Sequence, residues 1–304
     1  MKTKQYSAKI LLFGEYGILI GGEGLAIPYP PYMGTWCMAR TNALAAAHIT
    51  ASRKVLYKWA TYLHTLADKG NLPFIFDFAL WEEELRQGLF FDSNIAQGCG
   101  LGSSGALVAA LYERYARPAL PPNPEQLPIL QKHLACLENF FHHQSSGLDP
   151  LLAYANSAVW LRQGVPSLPT LAKPIQEFSL FLYDSQLPRH TAPLVNNFVQ
   201  RQQTDADFAQ ICHNELLPHN KRCIIALLAG DVNALFEAML ELSKWQFQHL
   251  PDMIPNTVKK VWEDGLTNGY FCLKLCGAGG GGYFIGMERG KMDERAGIGD
   301  VERL

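Results

Sequence analysis

Apolar residues recur along the chain with two different spacings, which predict a mixture of strands and helices. In the first half, short apolar runs predict strands at 8–13, 25–27, 34–38 and 74–78. Apolar residues spaced three or four apart, from Val55 to Leu66, predict a helix over 55–67. Two glycines, Gly21 and Gly22, separate the first two runs, so we expect the chain to begin with a hairpin-like pair of strands.

The same patterns continue beyond residue 100, where helices predominate. Helices are predicted at 106–117, 126–143, 193–203, 204–213, 232–249 and 256–268, and strands at 178–183, 271–275 and 283–287. The stretch 163–174 contains three prolines and little periodicity, so it marks the best boundary between two domains, 1–170 and 171–304. The charged tail after Met287 is expected to be loosely ordered.

Composition narrows the class of protein. The chain has 304 residues, of which 48% are hydrophobic and 18% charged, as is usual for a globular enzyme. The formal net charge is −2 and basic residues are scattered, so no field for nucleic acid is expected. The seven cysteines have irregular spacing, which favours free thiols in a reducing cytosol. No signal-peptide core or membrane-spanning run is found, so a cytoplasmic protein is expected.

The segment from Gly98 to Gly105 is rich in glycine and precedes a predicted helix. The first turn of a helix has backbone N–H groups without intrahelical partners, and its dipole favours anions. Ser103 and Ser104 could cap this helix and present hydroxyls to a phosphate or a magnesium ion. An ordinary glycine turn before a capped helix is the alternative. The segment lacks the lysine of a Walker A loop and fits the dinucleotide fingerprint poorly.

Three segments together resemble the motifs of the GHMP kinase superfamily, in family order: Ala8–Glu15, Gly100–Ser104 and Leu275–Gly282. The resemblance implies an α+β fold with a ribosomal-S5-like N-terminal domain and a ferredoxin-like C-terminal domain, with ATP and substrate between them. It also implies that ATP and Mg²⁺ are the cofactors. By resemblance, the ATP-binding residues are Gly98, Gly100, Leu101, Gly102, Ser103, Ser104 and Gly105.

An acidic pair and a lysine are the candidates for chemistry. Taken alone, Glu138 suits a solvated helix face, Asp149 a turn or helix cap, and Lys9 the edge of a strand. Asp149 lies eleven residues after Glu138, and the segment Ser145–Asp149 that it ends resembles the Pro-Ser-Gly-x-Asp of mevalonate kinases, with serine in place of proline. The resemblance implies that Glu138 and Ser104 hold Mg²⁺, that Asp149 accepts or orients the hydroxyl proton, and that Lys9 stabilises developing charge.

Two further segments indicate the acceptor. Gly14-Glu15-Tyr16 resembles the Gly-Glu-His of mevalonate kinases, and Pro188-Arg189-His190-Thr191 resembles their Pro-Arg-x-Thr. A carboxylate substrate needs a cation, and arginine can bind it with two hydrogen bonds. The resemblance implies mevalonate as acceptor and a role in isoprenoid biosynthesis. The substrate-binding residues that it implies are Glu15, Ser146, Arg189, Thr191, Gly277 and Ala278.

Other functions remain open at this point. A GHMP kinase for another alcohol, such as a sugar, a sugar phosphate or phosphomevalonate, is the nearest alternative. The decarboxylase branch fits less well because its first motif differs. A catalytically inactive ligand-sensing homologue would be expected to lose Lys9, Glu138 or Asp149, and all three are present. A homodimer is possible. His142 and His143, beside the aspartate segment, are expected to be solvated or packed rather than catalytic.

Overall fold

The computed structural model describes residues 4–39, 46–97, 100–142, 145–188, 191–289 and 301–304, except for the side chains of 191 and 192. The chain divides into two compact units. The first takes its residues from Met1–Ile10, Ile27–Val159 and Pro166–Leu168, and the second from Leu11–Ala26, Trp160–Val165 and Pro169–Leu304. The single boundary at residue 170 stays a prediction, but residues 11–26 cluster with the second unit although they precede it in sequence.

Strands and helices alternate irregularly, as the α+β expectation requires. The strands are β1 Gln5–Phe13, β2 Gly24–Met38, β3 Ile75–Phe76, β4 Leu89–Ser93, β5 Ala116–Arg117, β6 Val159–Arg162, β7 Val165–Ser167, β8 Leu180–Asp184, β9 Phe271–Leu275, β10 Tyr283–Glu288 and β11 Glu302–Arg303. The helices are α1 Ala47–Asp68, α2 Phe78–Arg86, α3 Ser103–Tyr115, α4 Leu127–His142, α5 Leu148–Ala155, α6 Thr191–Thr204, α7 Ala206–Ile211, α8 Leu217–Ala229, α9 Val232–His249 and α10 Asn256–Asn268.

The described strands form one large sheet, one smaller sheet and a short ribbon. The large sheet has the order β1-β2-β6-β7, with β4 antiparallel to the far end of β2. The smaller sheet has the order β11-β8-β10-β9 and is antiparallel at each pairing. β3 and β5 pair alone. The runs at 25–27 and 34–38 belong to one long strand, β2, rather than two.

Two local predictions fail for identifiable reasons. The strand predicted at 74–78 is confined to β3, because the Asp77 side chain accepts a hydrogen bond from Leu80 N–H and so starts α2. α8 was not predicted as a helix. It continues from α7 through a π-helical turn at Cys212–Leu216, so Pro218 lies in the first turn of α8, where proline is tolerated.

The end of the chain was expected to be loosely ordered, and this is wrong for residues 301–304. β11 pairs with β8, Glu302 opposite Leu182, and Leu304 N–H donates to the Leu180 carbonyl at 3.0 Å. Leu304 is buried, with 8% of its surface exposed. The last residues therefore supply the edge strand of the smaller sheet.

Two general features bear on the class of protein. Among the helices that the structure describes, none combines the length and the apolar character needed to cross a membrane. None of the described cysteines forms a disulfide, and Cys212, Cys223, Cys272 and Cys276 are buried. Burial raises the pKa of the Cys272 thiol to about 12, so this thiol stays protonated at neutral pH.

Candidate active site

The glycine-rich segment in the first unit leads into α3. Gly102 caps the helix with a left-handed backbone, φ 76°, and makes no side-chain capping bond. Leu101 is buried, and its carbonyl accepts a hydrogen bond from Lys9 N–H at 2.9 Å, which ties the segment to β1. Ser103 and Ser104 were expected to cap the helix, but they lie inside its first turn, so they do not cap it. The first N–H groups of α3 are therefore without a side-chain cap. Gly98 lies outside the described residues.

Two glycines allow other chain segments to approach α3 closely. A Cβ on Gly102 would lie 2.8 Å from Cγ of Lys9 and 3.7 Å from Oδ2 of Asp149. A Cβ on Gly105 would lie 2.8 Å from the carbonyl carbon of Asp149 and 2.9 Å from the nitrogen of Pro150. Gly105, where the resembled motif commonly has alanine, thus lets the start of α5 pack directly against α3.

Lys9 and Asp149 form an ion pair in this first unit. Nζ of Lys9 lies 3.1 Å from Oδ1 of Asp149, and the two side chains are 15% and 38% exposed. Lys9 lies on β1, an edge strand of the large sheet, but its side chain is mostly buried against Asp149 rather than pointing into water. Asp149 lies in the first turn of α5, which begins at a left-handed Gly147 whose Cβ position is blocked by the Gln131 carbonyl of α4. The sequence spacing of α4, the turn and α5 thus brings Asp149 to Lys9.

Glu138 is buried rather than solvated, so the solvated-face interpretation is wrong. It is 4% exposed, and the Ser104 hydroxyl donates to its Oε1 at 3.1 Å. The Ser145 hydroxyl donates a short hydrogen bond to its Oε2. Burial, followed by the nearby charge of Asp149, raises the pKa of Glu138 to about 7, although both serines and Lys9 oppose the shift. A nearby cation would therefore stabilise the ionised form of the buried Glu138 carboxylate.

These groups fit a magnesium ion. Magnesium prefers oxygen ligands and is usually held by one or two carboxylates together with phosphates and water. The side chains of Ser104 and Glu138 supply a hydroxyl and a buried carboxylate in hydrogen-bond contact. Among the described residues, no group of three or more His, Cys, Asp and Glu converges to hold a metal ion. A magnesium ion here would take its other ligands from water and phosphate, as in a metal–nucleotide complex.

Ser145, which replaces the proline of the resembled segment, adds a contact. Its hydroxyl holds Glu138, and the same oxygen accepts a hydrogen bond from Gly147 N–H at 2.9 Å. The serine therefore links the carboxylate to the turn that starts α5. His142 also contacts this group, since its Nε2 lies 3.0 Å from the Ser104 hydroxyl. His143 lies outside the described residues.

In the second unit, the residues after β1 contact the loop between β9 and β10. Oε1 of Glu15 lies 2.6 Å from Nζ of Lys274, and the two side chains are 1% and 0% exposed. Burial raises the pKa of Glu15, and the Lys274 ammonium opposes this. The Tyr16 hydroxyl donates to the Ala278 carbonyl at 2.6 Å. Sequence reasoning missed Lys274; its only signal is a single cation within the apolar strand β9.

The predicted site residues thus fall into two sets, one in each unit. The first unit holds Lys9, Gly100, Leu101, Gly102, Ser103, Ser104, Gly105, Glu138, Ser146 and Asp149. The second holds Glu15, Gly277 and Ala278. Glu15 is enclosed rather than open to a ligand, whereas Ser146 is exposed. Arg189 and the side chain of Thr191 lie outside the described residues.

The chain is similar to known proteins in both sequence and structure. No family model matches the chain. A mevalonate kinase of Pyrococcus horikoshii is 24% identical over 308 residues, covering 95% of this chain and 89% of the relative. The structure of L. major mevalonate kinase in complex with R-mevalonate matches with a TM-score of 0.63 and 16% identity, covering 100% of this chain and 95% of that one.

A second kind of GHMP kinase matches almost as well. The structure of Streptococcus pneumoniae phosphomevalonate kinase in complex with phosphomevalonate and AMPPNP has a TM-score of 0.60 and 15% identity, and covers 100% of both chains. The fold alone therefore does not distinguish an enzyme that acts on mevalonate from one that acts on phosphomevalonate. The chain has the two-domain α+β fold of the GHMP kinase superfamily, as its three motifs indicate, and the relatives that it matches are kinases.

Proposed function

We propose that the chain is an ATP-dependent phosphotransferase that moves the γ-phosphoryl group to an alcohol, and that this alcohol is mevalonate. The observation that carries the proposal is the Lys9–Asp149 ion pair, 3.1 Å apart, beside the start of α3. A cation, a carboxylate and a helix N-terminus in one place are the parts that phosphoryl transfer to a hydroxyl requires.

Each residue has a role that follows from its surroundings. The uncapped N–H groups at the start of α3 bind phosphate oxygens, and the left-handed Gly102 leaves room for them. Glu138 and Ser104 hold Mg²⁺, which when bound neutralises charge on the phosphates. Asp149 accepts or orients the proton of the acceptor hydroxyl. Lys9, paired with Asp149, stabilises the oxygen as it gains negative charge.

The acceptor is proposed from the sequence segments together with the relatives. Mevalonate bears a carboxylate, and Arg189 is the only lysine or arginine between 174 and 200. One arginine suits one carboxylate, whereas a phosphorylated acceptor should require an additional basic cluster. The P. horikoshii relative carries the name mevalonate kinase. We therefore assign Arg189, Thr191, Ser146, Gly277 and Ala278 to the acceptor, and Glu15 to the support of the loop that contains the last two.

A coupled ADP-release screen tests this proposal. Purified protein with Mg²⁺ and ATP would be assayed with mevalonate, phosphomevalonate, galactose and homoserine. We expect release of ADP with mevalonate at a rate well above that with the other three. Release of ADP with another of these alcohols but not with mevalonate would overturn the mevalonate assignment, while the proposal of a kinase would stand. No release with any acceptor, in protein that binds nucleotide, would favour the ligand-sensing alternative.

A further inference from the structure

Two consecutive residues after β1 hold the loop between β9 and β10, residues 276–282, here called the β9–β10 loop. The buried Tyr16 hydroxyl donates to the Ala278 carbonyl at 2.6 Å. Glu15 binds Lys274, whose ammonium also donates to the Leu275 carbonyl at 2.6 Å, where the loop begins. Tyr16 therefore holds the loop directly, and Glu15 holds its start through Lys274.

Tyr16 is fixed in an unfavourable backbone conformation. Its φ is 60°, a left-handed conformation that is rare for a bulky residue and persists only where the surrounding structure imposes it. Its ring lies 4.6 Å from the ring of Phe198, and the residue is 5% exposed. Gly14, two residues earlier, has no room for a side chain, because a Cβ there would lie 2.7 Å from Cα of Gly24. In this backbone conformation, the Tyr16 side chain reaches the β9–β10 loop.

The β9–β10 loop needs such external support. Five of its seven residues are glycines, and all five have positive φ, so its own backbone does little to fix one shape. Its second half is held by Gly280 N–H on the Met253 carbonyl, 2.7 Å, and by the Ser185 hydroxyl on the Gly282 carbonyl, 2.8 Å. Tyr16 supplies the corresponding bond to the first half, at Ala278.

We propose that Tyr16 is a positioning residue that sets the shape of the β9–β10 loop for the acceptor, with the buried Glu15–Lys274 pair anchoring the start of that loop. The proposal rests on the proposed function, which assigns Gly277 and Ala278 to the acceptor. The tyrosine stands where the resembled segment of mevalonate kinases has histidine. In this chain its hydroxyl proton is donated to the loop and is not presented to a ligand.

Tyr16→Phe tests the proposal because it removes one hydroxyl and keeps the ring. Tyr154→Phe is the matched control, since the Tyr154 hydroxyl also donates to a backbone carbonyl, that of Leu120, at 2.8 Å, within the other unit. Amide hydrogen exchange would be measured across both proteins without ligands. We expect exchange in residues 276–282 to rise roughly fivefold or more in Tyr16→Phe and to stay unchanged in Tyr154→Phe. Unchanged loop exchange in folded Tyr16→Phe would overturn the proposal.

Steady-state kinetics give the second readout. We expect Tyr16→Phe to raise KM for the acceptor roughly five- to tenfold while KM for ATP stays within about twofold of the wild type. An equal rise in both constants would overturn the positioning role. If the wild-type protein phosphorylates none of the tested alcohols, the proposed function fails, whereas the exchange measurement still decides whether Tyr16 holds the loop.

Discussion

The fold alters the ionisation of Glu138, one of the two residues assigned to magnesium. Glu138 is buried between Ser104 and Ser145, near the charge of Asp149, and its pKa is raised to about 7. The folded protein therefore binds a proton at Glu138 more tightly than the unfolded chain does. The stabilising effect of this proton is present at low pH and is lost as pH rises from about 4.5 through 7.

We predict that Glu138→Gln makes the magnesium-free protein more stable than the wild type at pH 8. Glutamine has the size of the protonated acid and carries no charge, so it avoids the burial penalty of the carboxylate. The gain should be on the order of 2–3 kcal/mol at pH 8 and small near pH 4.5. Denaturant unfolding of both proteins at several pH values measures it. If the free energies of unfolding of the two proteins changed with pH in the same way, this explanation of the raised pKa would be wrong.

At the scale of elements, the glycine-rich segment depends on the close approach of three elements, β1, α3 and α5. Sequence spacing predicted α3, α4, α9 and α10 well, because their apolar faces are long and regular. It could not predict that Gly105 admits the backbone of Asp149 and Pro150, or that Ser145 binds Glu138. Such contacts depend on packing between segments distant in sequence, which periodicity does not encode.

We predict that Gly102→Ala weakens binding of the magnesium–nucleotide complex by about tenfold or more, while Gly70→Ala does not. Both glycines have positive φ, 76° and 68°, so both substitutions strain the backbone similarly. A Cβ on Gly102 lies 2.8 Å from Lys9, whereas a Cβ on Gly70 meets nothing within 4 Å. Calorimetric titration with Mg²⁺ and AMPPNP compares them. If folded Gly102→Ala and Gly70→Ala bound the nucleotide with equal affinity, the assignment of the glycine-rich segment to nucleotide binding would be wrong.

At the scale of the whole molecule, the three motifs were enough to predict the superfamily fold, because they span almost the entire chain in the family order. They could not show which unit residues 11–26 cluster with, or how the second unit ends. Both features depend on long-range contacts, such as Glu15 with Lys274 and β11 with β8. The role of Lys274 could not be predicted for the same reason, since it depends on an ion pair with Glu15, which is distant in sequence.

We predict that deleting residues 301–304 lowers the midpoint of thermal unfolding by several degrees. The deletion removes an edge strand and the buried Leu304, and it takes away Arg303, which lies 3.4 Å from the buried carboxylate of Glu288. Burial of one leucine contributes about 1.5–3 kcal/mol, and 1 kcal/mol shifts the midpoint by about 2–4 °C in a protein near this size. Leu304→Ala should show part of the loss. An unchanged midpoint would mean that β11 adds nothing to the second unit.

The proposed activity depends on the Lys9–Asp149 pair, and single-turnover phosphoryl transfer to mevalonate tests that proposal most directly. We predict that Asp149→Asn folds and binds nucleotide but transfers phosphate about 10²–10⁴-fold more slowly than the wild type, because asparagine cannot take a proton or carry charge beside Lys9. Lys9→Met should behave alike, and the double variant should be little worse than either single one. A loss below about tenfold would limit Asp149 to orienting the hydroxyl. Full wild-type transfer by Asp149→Asn would contradict the site.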